Sequence, residues 1–60
     1  MKTVNSVTML RTRFIPFTSV LVADFFDEQT EDFATVEIYK DEETTIEVFN
    51  EVFPLSAFGL

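Results

Sequence analysis

The chain has 60 residues, eleven acidic against four basic side chains, a net charge of −7, and neither cysteine nor histidine. These values exclude several domains, a disulfide framework and the usual histidine or cysteine zinc sites. A domain this small is only marginally stable alone and usually needs a disulfide, a metal or a partner chain. Since 47% of the residues are hydrophobic and eight are phenylalanine, we expect one domain over residues 1–60 that forms a homodimer or binds a partner.

The first half of the chain predicts two strands. Residues 3–14, TVNSVTMLRTRF, are rich in threonine, valine and phenylalanine and predict the first strand. Pro16 is expected to break the pairing or make a bend. Residues 18–26, TSVLVADFF, predict the second strand, and its apolar residues fall on both faces. Such a strand is central in its sheet or lies at an interface.

A loop and a third strand follow. Residues 27–32, DEQTED, are polar and contain no glycine, which favours a longer hairpin loop over a two-residue turn. Residues 33–40, FATVEIYK, alternate and predict a strand with two different faces. One face carries Ala34, Val36 and Ile38, and the other carries Phe33, Thr35, Glu37 and Tyr39.

Residues 44–53 fit two patterns. As a helix, they place Ile46, Val48, Phe49, Val52 and Phe53 in one arc. Thr44 and Glu47 have the spacing of a capping box, and Pro54 ends the segment. As a strand, Ile46, Val48 and Val52 share one parity. We predict a short helix, with a fourth strand as the alternative.

These elements predict an α+β fold in which one short C-terminal helix packs on a three-stranded antiparallel sheet. The alternative is an all-β, four-stranded antiparallel meander. In the α+β arrangement the second sheet face, with Phe25, Phe33 and Tyr39, has no element left to cover it, which is a reason to expect a dimer or a partner. The apolar tail, residues 54–60, either joins that interface or packs over the domain's own core.

The side chains present argue against catalysis and cofactor binding. Nucleophilic catalysis requires a base beside serine, threonine or cysteine, and the three serines have no such partner in a chain without histidine. Paired carboxylates need a cleft that 60 residues hardly provide. The acids also lack the spacing of a calcium loop. We therefore expect no enzyme, no cofactor and no dedicated metal site.

Charge and hydropathy bear on location and on nucleic acids. A net charge of −7 repels a polyanion, so Arg11 and Arg13 are expected to pair with carboxylates and not to bind DNA directly. The apolar run around residues 14–23 is too short for a membrane span and is interrupted by Pro16, which also argues against a secretory signal. We expect no membrane association and a cytoplasmic location, in the host cytoplasm if the protein is viral.

The acids themselves suggest the first functional hypothesis. All eleven lie between Asp24 and Glu51, with Lys40 as the only base among them. Such crowding is destabilising, and a merely solubilising surface would mix the signs. Alternate strand residues lie about 6.6 Å apart, a scale comparable with phosphate spacing in DNA. We expect a non-enzymatic inhibitor that binds a DNA-binding protein through a DNA-mimicking surface. In size and charge the chain resembles small acidic proteins that phages direct against host machinery, although no motif matches one family.

The second hypothesis is a protein-interaction module, such as a subunit, adaptor or antitoxin-like partner, that docks through its phenylalanines while the charge serves solubility. The candidate residues fall into two sets. The acidic set is Asp24, Asp27, Glu28, Glu31, Asp32, Glu37, Asp41, Glu42 and Glu43. The apolar set, for a partner or a dimer, is Phe25, Phe26, Phe33 and Tyr39.

Overall fold

A computed structural model describes residues 2–60, which form a strand-dominated fold of two layers. The elements in chain order are β1 (Lys2–Val4), β2 (Val7–Phe14), β3 (Val20–Asp27), β4 (Asp32–Tyr39), β5 (Thr45–Val48), β6 (Glu51–Pro54) and a 3₁₀ helix (Leu55–Phe58). The first four strands form an antiparallel sheet in the order β1–β2–β3–β4. The last two form a separate hairpin.

The predicted antiparallel sheet is confirmed, but it has four strands and no α-helix accompanies it within residues 2–60. The α+β prediction is therefore wrong, and the meander alternative is closer to the structure. The expected strand over residues 3–14 is divided by Asn5 and Ser6, whose φ angles are 48° and 71°. Positive φ at both central residues is the signature of a type I′ turn, which joins Val4 to Val7 with the right-handed twist that hairpins require.

The predicted helix over residues 44–53 is wrong as well, because this segment is the β5–β6 hairpin. Phe49 and Asn50 form its two-residue turn, with φ angles of 52° and 63°. The flanking residues include threonines, isoleucine and valines, which favour strands over helices. Val52, which the helical pattern placed on the apolar face, is 65% exposed, since pairing with Glu47 turns it away from the core.

The turn between β2 and β3 contains the bend expected at Pro16. Ile15 accepts a hydrogen bond from the Thr18 amide at 3.2 Å, and Phe17 adopts a φ of 65°. Proline at the second position and positive φ at the third define a type II turn. This turn holds Phe17 fully in solvent.

The core lies between one face of the sheet and the β5–β6 hairpin. Its buried residues are Val7, Leu21, Ala23, Phe25, Ile38, Ile46, Val48, Phe53, Leu55 and Phe58. The ring of Phe58 meets Phe25 edge-on at 5.1 Å between centroids and meets Phe53 in the same way at 5.2 Å. Leu55 and Phe58 belong to the 3₁₀ helix, so the apolar tail packs over the domain's own core.

Truncation of Phe25 tests this core. Phe25→Ala should lower the free energy of unfolding by about 3–5 kcal/mol, since it removes a fully buried ring that contacts Phe58. Phe17→Ala, at a fully exposed ring, should change it by less than about 0.5 kcal/mol. Urea denaturation followed by circular dichroism measures both, and equal losses would show that Phe25 does not lie in the core.

The turn at Asn5–Ser6 can be tested by glycine substitution. Ser6→Gly should raise the free energy of unfolding by about 0.5–1 kcal/mol, because glycine relieves the left-handed strain of an L-residue at a φ of 71°. Ser19→Gly is the control, since Ser19 is not among the residues with positive φ. There the added freedom of the unfolded chain should lower stability. Equal shifts at the two sites would contradict the turn type.

Candidate functional site

The sheet has one face that no other element covers within residues 2–60, called here the open face. The hairpin and the 3₁₀ helix bury their apolar residues with Leu21, Ala23 and Phe25 on the opposite side. Alternation along each strand therefore directs the neighbouring positions to the open face. These positions include Arg11, Arg13, Val20, Val22, Asp24, Phe26, Phe33, Thr35, Glu37 and Tyr39.

The predicted placement of Phe25 on the uncovered face is therefore wrong. Phe25 is fully buried and faces the core, while its neighbour Phe26 takes the open side. The sequence contained this signal, because Phe25 shares its parity with Leu21 and Ala23. Phe33 and Tyr39 do lie on the open face and are 73% and 42% exposed.

Two phenylalanines form the apolar part of the open face. Phe26 on β3 and Phe33 on β4 are directly paired, with ring centroids 4.8 Å apart and the planes tilted by 46°. Such a cross-strand aromatic pair stabilises the sheet locally, by about 0.5–1.5 kcal/mol. Phe26 is half-buried by this contact, whereas Phe33 offers most of its ring to solvent.

A row of polar side chains crosses the same face next to these rings. Arg11 on β2 donates from Nε to Asp24 Oδ2 at 2.6 Å, and Thr35 on β4 donates from Oγ1 to Asp24 Oδ1 at 2.7 Å. Both carboxylate oxygens of the central Asp24 are thus satisfied from the two neighbouring strands. Because Arg11 is 81% exposed, the ion pair fixes side-chain geometry more than it adds stability.

A bulge in β2 opens a depression between the aromatic pair and this polar row. The pairing of β2 with β3 shifts by one residue between Met9 and Arg11, which leaves Leu10 unpaired and 38% exposed. The depression has a volume of about 450 Å³. It is lined by Leu10, Arg11, Asp24, Phe25, Phe33, Ala34 and Thr35.

The remaining predicted acids fall into two groups at opposite ends of β4. Asp27, Glu28, Glu31 and Asp32 surround the turn between β3 and β4, called here the tip turn, residues 28–31. Asp41, Glu42 and Glu43 lie in the acidic turn, residues 40–44, between β4 and β5. The eight residues of β4 separate the two groups by about 23 Å at ~3.3 Å per residue.

The hairpin loop predicted over residues 27–32 is longer than two residues, as expected, but it is one residue shorter at each end. Asp27, the last residue of β3, pairs with Asp32, the first residue of β4, and the four residues between them form the turn. The Glu31 amide donates to the Asp27 carbonyl at 2.8 Å, and the Asp27 carboxylate accepts from the Gln29 amide at 2.8 Å. Asp27 is therefore held as a turn cap, and the exposed Glu28 accepts a hydrogen bond from the Thr8 hydroxyl at 3.3 Å. Glu31 and Asp32 project into solvent.

The structure does not join the acids into one continuous surface. Asp24 is separated from both turns and forms the one ion pair found among residues 2–60. Glu37 lies on the open face, where its strand partner is Val22. Within the same residues, no three acids converge closely enough to hold a metal ion. No helix in that part of the chain has the length and apolar character of a membrane span.

Sequence reasoning missed a second exposed aromatic group in the turn between β2 and β3. Phe14 is 60% exposed, and Phe17 is fully exposed. The available signal was Pro16 between aromatic residues in a stretch without charge, since a proline turn carries its neighbours away from the sheet.

Comparison with protein families, curated proteins and solved structures found no match to the chain.

The polar row of Arg11, Asp24 and Thr35 predicts that Asp24 has a lowered pKa. The hydrogen bond from Arg11 and then that from Thr35 hold the pKa of the Asp24 carboxyl below its usual range. Because this pKa is lower in the folded than in the unfolded chain, the ionised Asp24 carboxylate stabilises the fold at pH values above the ordinary aspartate pKa. This stabilisation is lost as the pH falls through the folded-state pKa.

Carboxyl-carbon NMR measures this titration directly. In the wild type, Asp24 should titrate at lower pH than an ordinary aspartate, and Arg11→Gln should raise its pKa. Arg13→Gln is the matched control and should raise the pKa less, because Arg13 acts only through its charge and has the smallest effect on Asp24. Equal pKa values in the wild type and in Arg11→Gln would contradict the ion pair.

Proposed function

We propose that the protein is a non-enzymatic interaction module that docks onto another protein through the open face. The observation that carries the proposal is the exposed ring of Phe33, at 73%, beside a depression of about 450 Å³. Aromatic side chains at the rim of a concave apolar site are typical anchors of protein interfaces. Exposure of such a ring does not stabilise a small domain that has no disulfide, so a large exposed apolar side chain indicates a surface that a partner covers.

The polar row supports the same proposal. Arg11 and Thr35 already satisfy both oxygens of Asp24, so the site is preorganised next to the rings. Preorganised side chains lose less conformational freedom on binding, which leaves more free energy for affinity. The acidic turns flank the open face at both ends, and a partner with basic residues around an apolar site would complement it.

A second candidate is the DNA-mimicking inhibitor, of the kind that phages direct against host machinery. The observation that favours it is that ten of the eleven acids form no ion pair among residues 2–60. The exposed carboxylates among them can bind lysines and arginines of a DNA-binding protein. Seven of the ten acids lie at two turns about 23 Å apart, with Arg11 and Arg13 on the face between them, which fits a phosphate-like track less well than a flanked apolar site.

Capture from cell lysate with matched variants separates the two candidates. Phe33→Ala should weaken capture of the partner by about tenfold or more, as expected for an exposed aromatic anchor. Phe17→Ala removes a more exposed ring in the turn after β2 and should retain capture. Neutralising Glu28, Glu31 and Asp32 together should change the affinity by only a fewfold, because exposed charges at a rim contribute little.

The outcome for the DNA-mimicking candidate is different. Binding would weaken steeply with salt, duplex DNA would compete, and the neutralised variant would lose capture while Phe33→Ala retained it. That pattern would contradict docking through the open face. Loss of capture in Phe17→Ala with retention in Phe33→Ala would move the site to the turn between β2 and β3.

A further inference from the structure

The outer edge of β4 is a row of backbone groups without a partner strand. β4 ends the sheet order β1–β2–β3–β4, and the β5–β6 hairpin does not pair with it. It is eight residues long, whereas β1 at the other edge has three. Proteins usually protect long edges with lysine, proline or a bulge. Residues 32–39 contain neither lysine nor proline, their pairing with β3 is continuous, and Glu37 is the one charged residue between Phe33 and Tyr39.

The hydrogen bonds at the end of β4 show which groups point outward. The Tyr39 amide donates to Glu43 Oε1 at 3.1 Å, and the Tyr39 carbonyl accepts from the amides of Glu42 and Glu43. The strand partner of Tyr39, Val20, directs its carbonyl to Ile15 on the β2 side. Tyr39 therefore forms a non-hydrogen-bonded pair with β3, and its backbone faces outward.

Antiparallel strands alternate between hydrogen-bonded and non-hydrogen-bonded pairs. The outward position of Tyr39 therefore places the backbone groups of Phe33, Thr35 and Glu37 outward as well. The acidic turn occupies the groups of Tyr39. Three successive outward residues are left to receive another strand.

The core side of the same edge is incompletely covered. Ala34 and Val36 face the core and pack against it, yet both are only half-buried, whereas Ile38 on the same strand face is fully buried. A neighbouring strand would cover this apolar margin. The edge thus offers both unpaired backbone groups and apolar surface to one extended partner.

We propose that this partner is the β4 strand of a second copy, paired antiparallel about a two-fold axis at Thr35. Thr35 then lies opposite Thr35 of the second copy, and Phe33 lies opposite its Glu37. Each such pair exchanges two backbone hydrogen bonds, which gives about six across the junction. The two sheets become one sheet of eight strands, a closed isologous dimer that leaves no long edge at the junction.

Other registers are less favourable. An axis at Val36 would bring Phe33 opposite Tyr39, whose backbone groups the acidic turn already occupies. An axis at Glu37 would place two Glu37 carboxylates opposite each other, and one at Ala34 would place Glu31 opposite Glu37. Like charges directly opposite are destabilising, which favours the axis at Thr35.

Charge makes this association distinguishable from partner binding. Each copy carries −7, so the copies repel one another, and salt should strengthen the dimer by screening that repulsion. Capture of a basic partner would weaken with salt. The dimer does not depend on the proposed function, and either can fail without the other.

Sedimentation at about 0.5 M salt, where screening extends only a few ångströms, tests the edge. Thr35→Pro removes the outward amide and is tolerated at a strand edge, so the variant should stay folded while its dimer weakens by about tenfold or more. Thr35→Val loses the same hydroxyl but keeps the amide, and its dimer affinity should stay within about threefold. A wild type that remains monomeric at high micromolar concentration, or equal association of both variants, would overturn the proposal.

Cysteine cross-linking tests the register in a chain that has no native cysteine. In Thr35→Cys the paired Cα atoms would lie about 5.5 Å apart, within the range that a disulfide spans. Oxidation should therefore yield a covalent dimer. Glu37→Cys is the matched control on the same face and should remain monomeric. Cross-linking of Val36→Cys in place of Thr35→Cys would overturn the axis at Thr35.

Discussion

The ring of Phe58 contacts both Phe25 and Phe53, and this three-ring cluster joins the two layers of the protein. Phe25 belongs to the sheet, Phe53 to the hairpin and Phe58 to the 3₁₀ helix. The chain has no cysteine and no histidine, so neither a disulfide nor a histidine-based metal site can hold the layers together. Burial of these rings is therefore the interaction on which the rest of the fold depends.

The same constraint explains why one sheet face stays open. The hairpin and the 3₁₀ helix supply Ile46, Val48, Phe53, Leu55 and Phe58 to the core side. After that no element in residues 2–60 is left to cover the other side. Large side chains on the central strand are shielded there mainly by their neighbours, so Val22 is 6% exposed even though it faces outward. Phe33 near the edge has no such neighbour beyond it and remains exposed.

The charged side chains, like the apolar ones, are divided between distinct regions of the molecule. Seven of the acids lie at the two turns at the ends of β4, Glu37 is exposed on the open face, and Asp24 in the middle of the sheet is paired with Arg11. The open face therefore combines an apolar site with acidic flanks. This arrangement places the phenylalanines and the acids in different roles, the rings for close contact and the carboxylates for long-range attraction.

Much of the sheet was predictable because alternation is a local signal. The patterns of residues 18–26 and 33–40 correspond to β3 and β4, and the loop between them was expected. The parity of Ala34, Val36 and Ile38 also identified the core side of β4. The turns at Asn5–Ser6 and Phe49–Asn50 were not predictable in this way, since neither contains the glycine that usually marks positive φ.

The structure of residues 44–53 could not be predicted from the sequence because the pattern of this segment is ambiguous. Its apolar residues suit one helical arc as well as a hairpin face, and the choice depends on the sheet that the segment must cover. A flat hairpin places Ile46 and Phe53 side by side on that sheet. Likewise the open-face depression arises from a bulge at Leu10, which pairing between strands creates and composition does not reveal.

The phenylalanines are divided between a closed core and an open face. The most direct measurement is NMR relaxation of the ring protons by a soluble paramagnetic probe, in a dilute sample. The structure predicts strong relaxation for Phe33 and weak relaxation for Phe25, Phe53 and Phe58, which are at most 3% exposed. Comparable relaxation of Phe25 and Phe33 would contradict this division, and with it the assignment of the open face.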